Sequence, residues 1–299
     1  MSDGSSIDSG ATALTRILVP LDRSEEAKAA LPYAAVLATP GTEIVLLTVV
    51  PSSDEGEAAR AALEETAQSL RVAGHTVQTE VAEGDPAQRV LDTVANIGAG
   101  MIVMASHGRG AVGRLIHGSV ADRVARESTV PVMVVRAKRV EPGPVGITRL
   151  VVPLDGSPFA EQSLPIAMEI SRRLGTPIYL VRAVNPVELI PPAIGFGEAI
   201  PVEIYEETEE QMEKDARDYL DEVAKRLRDQ GLPVATRVLP GPPATAIAEA
   251  TQLGDVVVLC SHERSGVMRW LLGSVAEQLT REDQSPVILV PGSEPEQAE

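Results

Sequence analysis

The stretch Ala105-Ser106-His107-Gly108-Arg109-Gly110-Ala111-Val112-Gly113-Arg114-Leu115-Ile116-His117-Gly118-Ser119-Val120 decides the fold. An apolar run, Met101 to Met104, leads into it, and a segment with helical character, Val120 to Glu127, leads out. It therefore reads as strand, glycine-rich loop and helix start. Glycine adds no Cβ, so backbone N–H groups of such a loop can approach a phosphate closely. Gly118-Ser119 falls where the free N–H groups and positive dipole end of a helix favour an anion.

The stretch occurs twice. Ser106, His107, Arg109, Arg114, Gly118, Ser119 and Val120 find the same residue types at Ser261, His262, Arg264, Arg269, Gly273, Ser274 and Val275. Each pair is separated by the same interval (262 − 107 = 155). A fixed offset with matched residue types is an internal repeat.

Working outward, the first repeat alternates strands and helices. Arg16 to Leu21 is a strand ending at Asp22, and Asp22-x-x-Glu25 opens a helix capped by Asp22 or Ser24 that runs to Leu37. Glu43 to Val50 is a continuous apolar strand, as expected where both faces of a parallel sheet are covered. Glu57 to Ala73 is a helix, Thr76 to Ala82 a strand, and Gly84-Asp85-Pro86 starts a helix to Ile97. Met101 to Met104 and Val130 to Val135 complete the set of strands. The order βαβαβαβαβ predicts an α/β, doubly wound parallel sheet. Ligands of such sheets bind at the carboxyl ends of the strands where the strand order reverses, here Asp22 and Ala105 to Gly108.

A linker with Pro142, Gly143, Pro144 and Gly146 separates the repeats, giving predicted domains 14–138 and 148–293. Arg149 to Leu154 restarts the pattern at a smaller offset (155 − 22 = 133), with Ser157-Pro158 as cap and first helical residue. Further strands are expected at Pro177 to Val184, Pro233 to Val238, Asp255 to Leu259 and Pro286 to Val290. The change of offset from 133 to 155 places about 22 additional residues in the second repeat, assigned to a loop over Asn185 to Glu207.

Composition narrows the function. The 299 residues suit about two domains. Aromatics are only 2%, so the cores must be aliphatic. A formal charge of −17 argues against a nucleic-acid partner, which requires a basic stripe. One cysteine, Cys260, excludes an intrachain disulfide and fits a reducing cytoplasm. The polar first 13 residues lack signal-peptide order, and no apolar run approaches the roughly 18 residues of a membrane helix. A cytoplasmic protein without membrane insertion is expected.

With both repeats in view, the chain resembles a tandem universal stress protein from Thr15 to Pro291. The family motif is Gly, two residues, Gly, nine residues, Gly, then Ser or Thr. The first repeat reads Ala105-x-x-Gly108, nine residues, Gly118-Ser119, and the second Cys260-x-x-Glu263, nine residues, Gly273-Ser274. Pro20-Leu21-Asp22, Pro153-Leu154-Asp155 and Gly84-Asp85-Pro86 are further hallmarks. The resemblance implies two Rossmann-like domains of the adenine-nucleotide α-hydrolase type, paired through their fifth strands as a pseudo-dimer that dimerises again. It implies ATP or another adenine nucleotide, with Mg2+ as a companion ion. The site carries over to Pro20, Leu21, Asp22, Val49, Met104 and Ala105 for adenine and ribose, and to Gly108, Arg109, Gly118, Ser119 and Val120 for phosphate. A second, weaker site carries over to Pro153, Asp155, Ala183, Leu259, Cys260, Gly273, Ser274 and Val275.

Plainer readings stand beside these. Asp22, Asp155 and Ser119 also read as helix caps, Arg109 and Arg114 as surface arginines, and Cys260 as a small buried hydrophobe. Glu263 places a carboxylate beside the expected phosphates, which predicts a weak, altered or metal-bridged second site. Ser106-His107 with Asp22 lacks the geometry of a hydrolytic triad, and His75, His107, His117 and His262 lack metal-ligand spacing. Three functions remain open at the level of sequence: a regulatory ATP-binding module, a slow ATP hydrolase, and a scaffold with degenerate sites.

Overall fold

The computed structural model describes residues 14–106, 119–137, 145–185, 202–261, 274–282 and 285–292. The first repeat contributes β1 (Arg16–Pro20), α1 (Leu31–Leu37), β2 (Glu43–Val50), α2 (Gly56–Val72), β3 (Thr76–Glu83), α3 (Pro86–Ile97), β4 (Met101–Ser106), α4 (Ser119–Glu127) and β5 (Val132–Arg136). The second contributes β6 (Arg149–Pro153), α5 (Pro158–Glu161), α6 (Leu164–Leu174), β7 (Ile178–Val184), α7 (Val202–Arg228), β8 (Val234–Pro240), α8 (Pro243–Ala250), β9 (Asp255–Ser261), α9 (Ser274–Glu282) and β10 (Val287–Pro291).

Among the described residues the ten strands form one sheet, in the order β3-β2-β1-β4-β5-β10-β9-β6-β7-β8. Pairing is parallel within each repeat and antiparallel only where β5 meets β10, with Val134 opposite Val287 and Met133 opposite Ile288. The fifth strands thus join within one chain, and the two repeats form the expected pseudo-dimer. Alternation along each strand sends side chains to opposite faces. Ile17 and Val19 join an aliphatic core under α1, α2, α6 and α7, whereas Leu18 joins another under α3, α4, α8 and α9. Both cores run through both repeats. Arg173 of α6 reinforces the junction by donating from Nη1 to the Leu14 carbonyl oxygen (2.8 Å) and to Thr42 Oγ1 (3.0 Å).

Two expectations are corrected. The helix predicted from Asp22 begins later and less regularly, as a 3-10 turn over Ala27–Ala30 followed by α1. The cause is local: Asp22 Oδ1 accepts from Ser24 N (3.0 Å), and Ser24 Oγ accepts from Ala27 N (3.1 Å), so two side chains hold the turn in place of a capping box. The loop assigned to Asn185 to Glu207 is also too long at its C-terminal end, because residues 202–207 belong to α7. At 27 residues α7 exceeds the 17 of α2, so part of the additional sequence lengthens a helix. Residues 186–201 lie outside the described residues.

Candidate functional site

In each repeat the strand order reverses beside the first strand: β1 lies between β2 and β4, and β6 between β7 and β9. Chains leaving the carboxyl ends of these two neighbours diverge to opposite faces and leave a crevice. Each crevice holds a cavity.

The first cavity measures about 370 Å³. The end of β1 supplies Pro20, Leu21 and Asp22, β2 supplies Val49, and β4 supplies Met104 and Ala105. The start of α4 adds Ser119 and Val120. These are eight of the residues expected from sequence. Gly108, Arg109 and Gly118, with His107, Arg114 and His117, lie outside the described residues.

Local chemistry sets this geometry. Leu21 N donates to the Leu47 carbonyl oxygen (2.8 Å), and Thr48 Oγ1 donates to the Leu21 carbonyl oxygen (3.0 Å), which pins the chain where it leaves the sheet. Asp22 is exposed at the rim, and its Oδ1 also accepts from Ser24 Oγ at 2.5 Å. On the far side Asp85 caps α3 by accepting from Gln88 N (2.8 Å). The same oxygen accepts from Arg123 Nη1 of α4 at 2.7 Å. That contact docks α4 against α3 and brings Pro86 and Val90 of α3 to the same cavity as Ser119.

The second cavity, about 230 Å³, is built the same way from Pro153, Asp155, Ala183, Leu259, Cys260, Ser274 and Val275. Gly273, His262 and Glu263 lie outside the described residues. Three bulkier residues narrow it. Cys260 stands for Ala105, Ile247 for Val90, and Phe159 lines it from the position of the half-buried Glu26. Phe159 packs so closely on the backbone after β10 that a Cβ at Gly292 would lie 2.6 Å from the ring. Burial, and secondarily the charge of Asp155, push the Cys260 thiol up to about 12, so it is protonated and a poor nucleophile. Asp155 makes the same turn as Asp22, with Ser157 N donating to its Oδ1 (2.8 Å).

Sequence reading missed the helical and inner-strand contributors: Ala27, Leu47, Pro86, Val90 and Ala121 in the first cavity, and Phe159, Ala160, Val181, Pro243, Ile247 and Ala276 in the second. The Asp85-Pro86 helix start, placed near a strand end by topology, was a usable signal for one of them.

The model of the universal stress protein family matches residues 14–136 and again 146–291. The chain belongs to the universal stress protein family. A universal stress protein of Mycolicibacterium smegmatis is 31% identical over 302 residues, covering 92% of this chain and 96% of that one. A universal stress protein of Mycobacterium tuberculosis strain H37Rv is 29% identical over 192 residues, covering 64% and 61%. Among solved structures, a universal stress protein from Archaeoglobus fulgidus superposes with a TM-score of 0.69 at 22% identity, covering 93% of this chain and 98% of that one, which is a likeness of fold. Among its described residues, this universal stress protein has no helix long and apolar enough to cross a membrane.

Proposed function

We propose that this universal stress protein binds an adenine nucleotide, ATP, in its first repeat, and that occupancy regulates its contacts in a stress response. The observation that carries the reading is the cavity of about 370 Å³ at the strand-order reversal, lined mostly by apolar side chains with Asp22 and Ser119 among them. Val49, Val90 and Met104 offer an apolar slot for a base. Asp22 at the rim is an acceptor for ribose hydroxyls, and Ser119 at the start of α4 can meet a phosphate with its hydroxyl and the helix N–H groups. Gly108, Arg109 and Gly118 complete the phosphate side on the sequence reading, and Mg2+ would accompany the phosphates. The second cavity is smaller, and Glu263 adds a like charge, so the second repeat is proposed as the weaker site. A dimer of tandem chains belongs to the same proposal and is read from light scattering.

The test is mass spectrometry of whatever the purified protein releases on denaturation, with stoichiometry, followed by calorimetry with ATP, ADP and AMP. One ATP per chain, lost on Val49→Trp and on Gly118→Glu but kept on Gly273→Glu, supports the reading. Two per chain would show that Glu263 is tolerated. No release and no heat of binding would leave the scaffold function in its place.

A further inference from the structure

The two repeats differ at a second place, on the opposite face of the sheet, between the first turn of each repeat and its long helix. In the second repeat the space is filled. Tyr219 of α7 donates its hydroxyl to Glu161 Oε1 at 2.9 Å, Arg226 Nη2 donates to Glu161 Oε2 at 2.6 Å, and Arg182 lies 5.2 Å from the Tyr219 ring centre. In the first repeat the same space is a groove of about 430 Å³ between α1 and α2.

Matched hydrogen bonds fix the correspondence. Thr79 to Glu64 repeats as Thr236 to Asp221, and Arg71 to the Val77 carbonyl repeats as Arg228 to the Val234 carbonyl, at one interval (221 − 64 = 157). By that interval Tyr219 falls on Ala62 and Arg226 on Ser69. The strand registers Pro20 with Leu47 and Pro153 with Val181 place Arg182 on Thr48, and the turn interval places Glu161 on Lys28. The first repeat has therefore lost an aromatic ring and two guanidinium groups, and its carboxylate has become an ammonium.

We propose that this groove binds a small aromatic carboxylate, with its ring on Leu21, Leu31, Leu63 and Leu70 and its carboxylate at Lys28. The ring class follows from the volume that Tyr219 fills in the other repeat, above a floor of four leucines. The charge follows from the reversal at position 28: the second repeat sets a carboxylate against donors, whereas the first presents a cation whose acceptor is the exposed Glu25. Lys28 Nζ meets Glu25 Oε1 at 2.7 Å, but the Glu25 side chain is 82% exposed. So exposed a pair contributes little and exchanges readily for a ligand carboxylate. Arg23, at the same rim, is held by Glu55 at 2.5 Å. Glu65, the remaining charged group of the groove, corresponds to Glu222 and so does not distinguish the repeats. The groove lies on the other face of the sheet from the nucleotide cavity, with Leu21 lining both, and the proposal does not depend on the proposed function.

Titration of the full chain with benzoate, phenylacetate and 4-hydroxyphenylacetate, read by calorimetry and ligand-observed NMR, tests it, with phenethylamine as the cationic control. Saturable binding of one acid per chain, at least about tenfold tighter than the amine, is expected. Lys28→Glu should weaken it at least about tenfold, and Ala62→Tyr, which returns the ring, should abolish it, whereas Val49→Trp should leave it unchanged. Equal binding of acid and amine, binding indifferent to both Lys28→Glu and Ala62→Tyr, or no saturation by about 10 mM would each overturn the proposal.

Discussion

The guanidinium of Arg173, on the first long helix of the second repeat, donates from Nη1 to the carbonyl oxygen of Leu14, where the first repeat begins. Thr42 Oγ1 donates to the same oxygen at 2.9 Å while accepting from Arg173, so three groups close a half-buried triangle across the junction. Arg173→Ala leaves the Leu14 carbonyl one donor. The expected loss is about 1–2 kcal/mol in urea unfolding, with an unchanged denaturant slope. A loss of less than about 0.3 kcal/mol would mean that the two repeats are held by strand pairing and core alone.

Arg23 and Gly156 occupy the same turn, with φ of 68° and 94°. A side chain in this left-handed region is strained by about 1–2 kcal/mol. Arg23→Gly relieves that strain and gives up an exposed ion pair with Glu55, so its stability should rise by about 0.5–1 kcal/mol. Gly156→Ala should do the reverse by at least as much, because its Cβ would stand 3.1 Å from Arg182 Nη1 and disturb the stack on Tyr219. Thermal midpoints of the two variants should move in opposite directions from wild type.

Phe159 and Gly292 are coupled by contact. Gly292→Ala should destabilise by about 1–3 kcal/mol through overpacking, and Phe159→Ala by about 3–5 kcal/mol through the void it leaves. In the double variant the new methyl group meets no ring, so the sum should fall short of additive by about 1 kcal/mol or more. Additivity in a denaturation cycle would show that the ring moves aside freely. Phe159→Ala should also enlarge the second cavity toward the size of the first.

The raised Cys260 thiol gives a pH dependence of definite sign. The native state keeps its proton to about pH 12, while the unfolded chain loses its proton near about 8.5. The native state thus binds more protons in that window, and stability falls as pH rises through it, by at most about 1.4 kcal/mol per pH unit from this group. Cys260→Ala, which installs the residue found at Ala105, should show a shallower alkaline decline of the urea midpoint than wild type. Parallel declines would refute the assignment. Native protein at about pH 8 should also react with iodoacetamide far more slowly than urea-unfolded protein.

Much of this architecture was legible before any coordinates. Continuous apolar runs such as Ile44 to Val50 announce strands covered on both faces, and Asp85-Pro86 marks the start of α3, where Asp85 caps. The end of β1 and the end of β4 were expected to share a crevice, because topology alone places them at the reversal of strand order. The start of the first helix was misread because Asp22 and Ser24 satisfy backbone donors in a turn as readily as in a cap, and residue type does not choose between them. Which helix residues reach the cavities was not legible, since Val90 and Ile247 come to the crevice only through the docking of α3 on α4 and of α8 on α9.

By itself the sequence determined the alternation of elements, the duplication and the position of the crevices, because hydrophobic period, caps and repeat offset are local or self-referential signals. Tertiary structure alone decided the sizes of the two cavities and the groove at Lys28. Those depend on which side chains from distant elements meet, and whether Tyr219 fills a space that Ala62 leaves open is settled only when α7 and α2 pack on their strands.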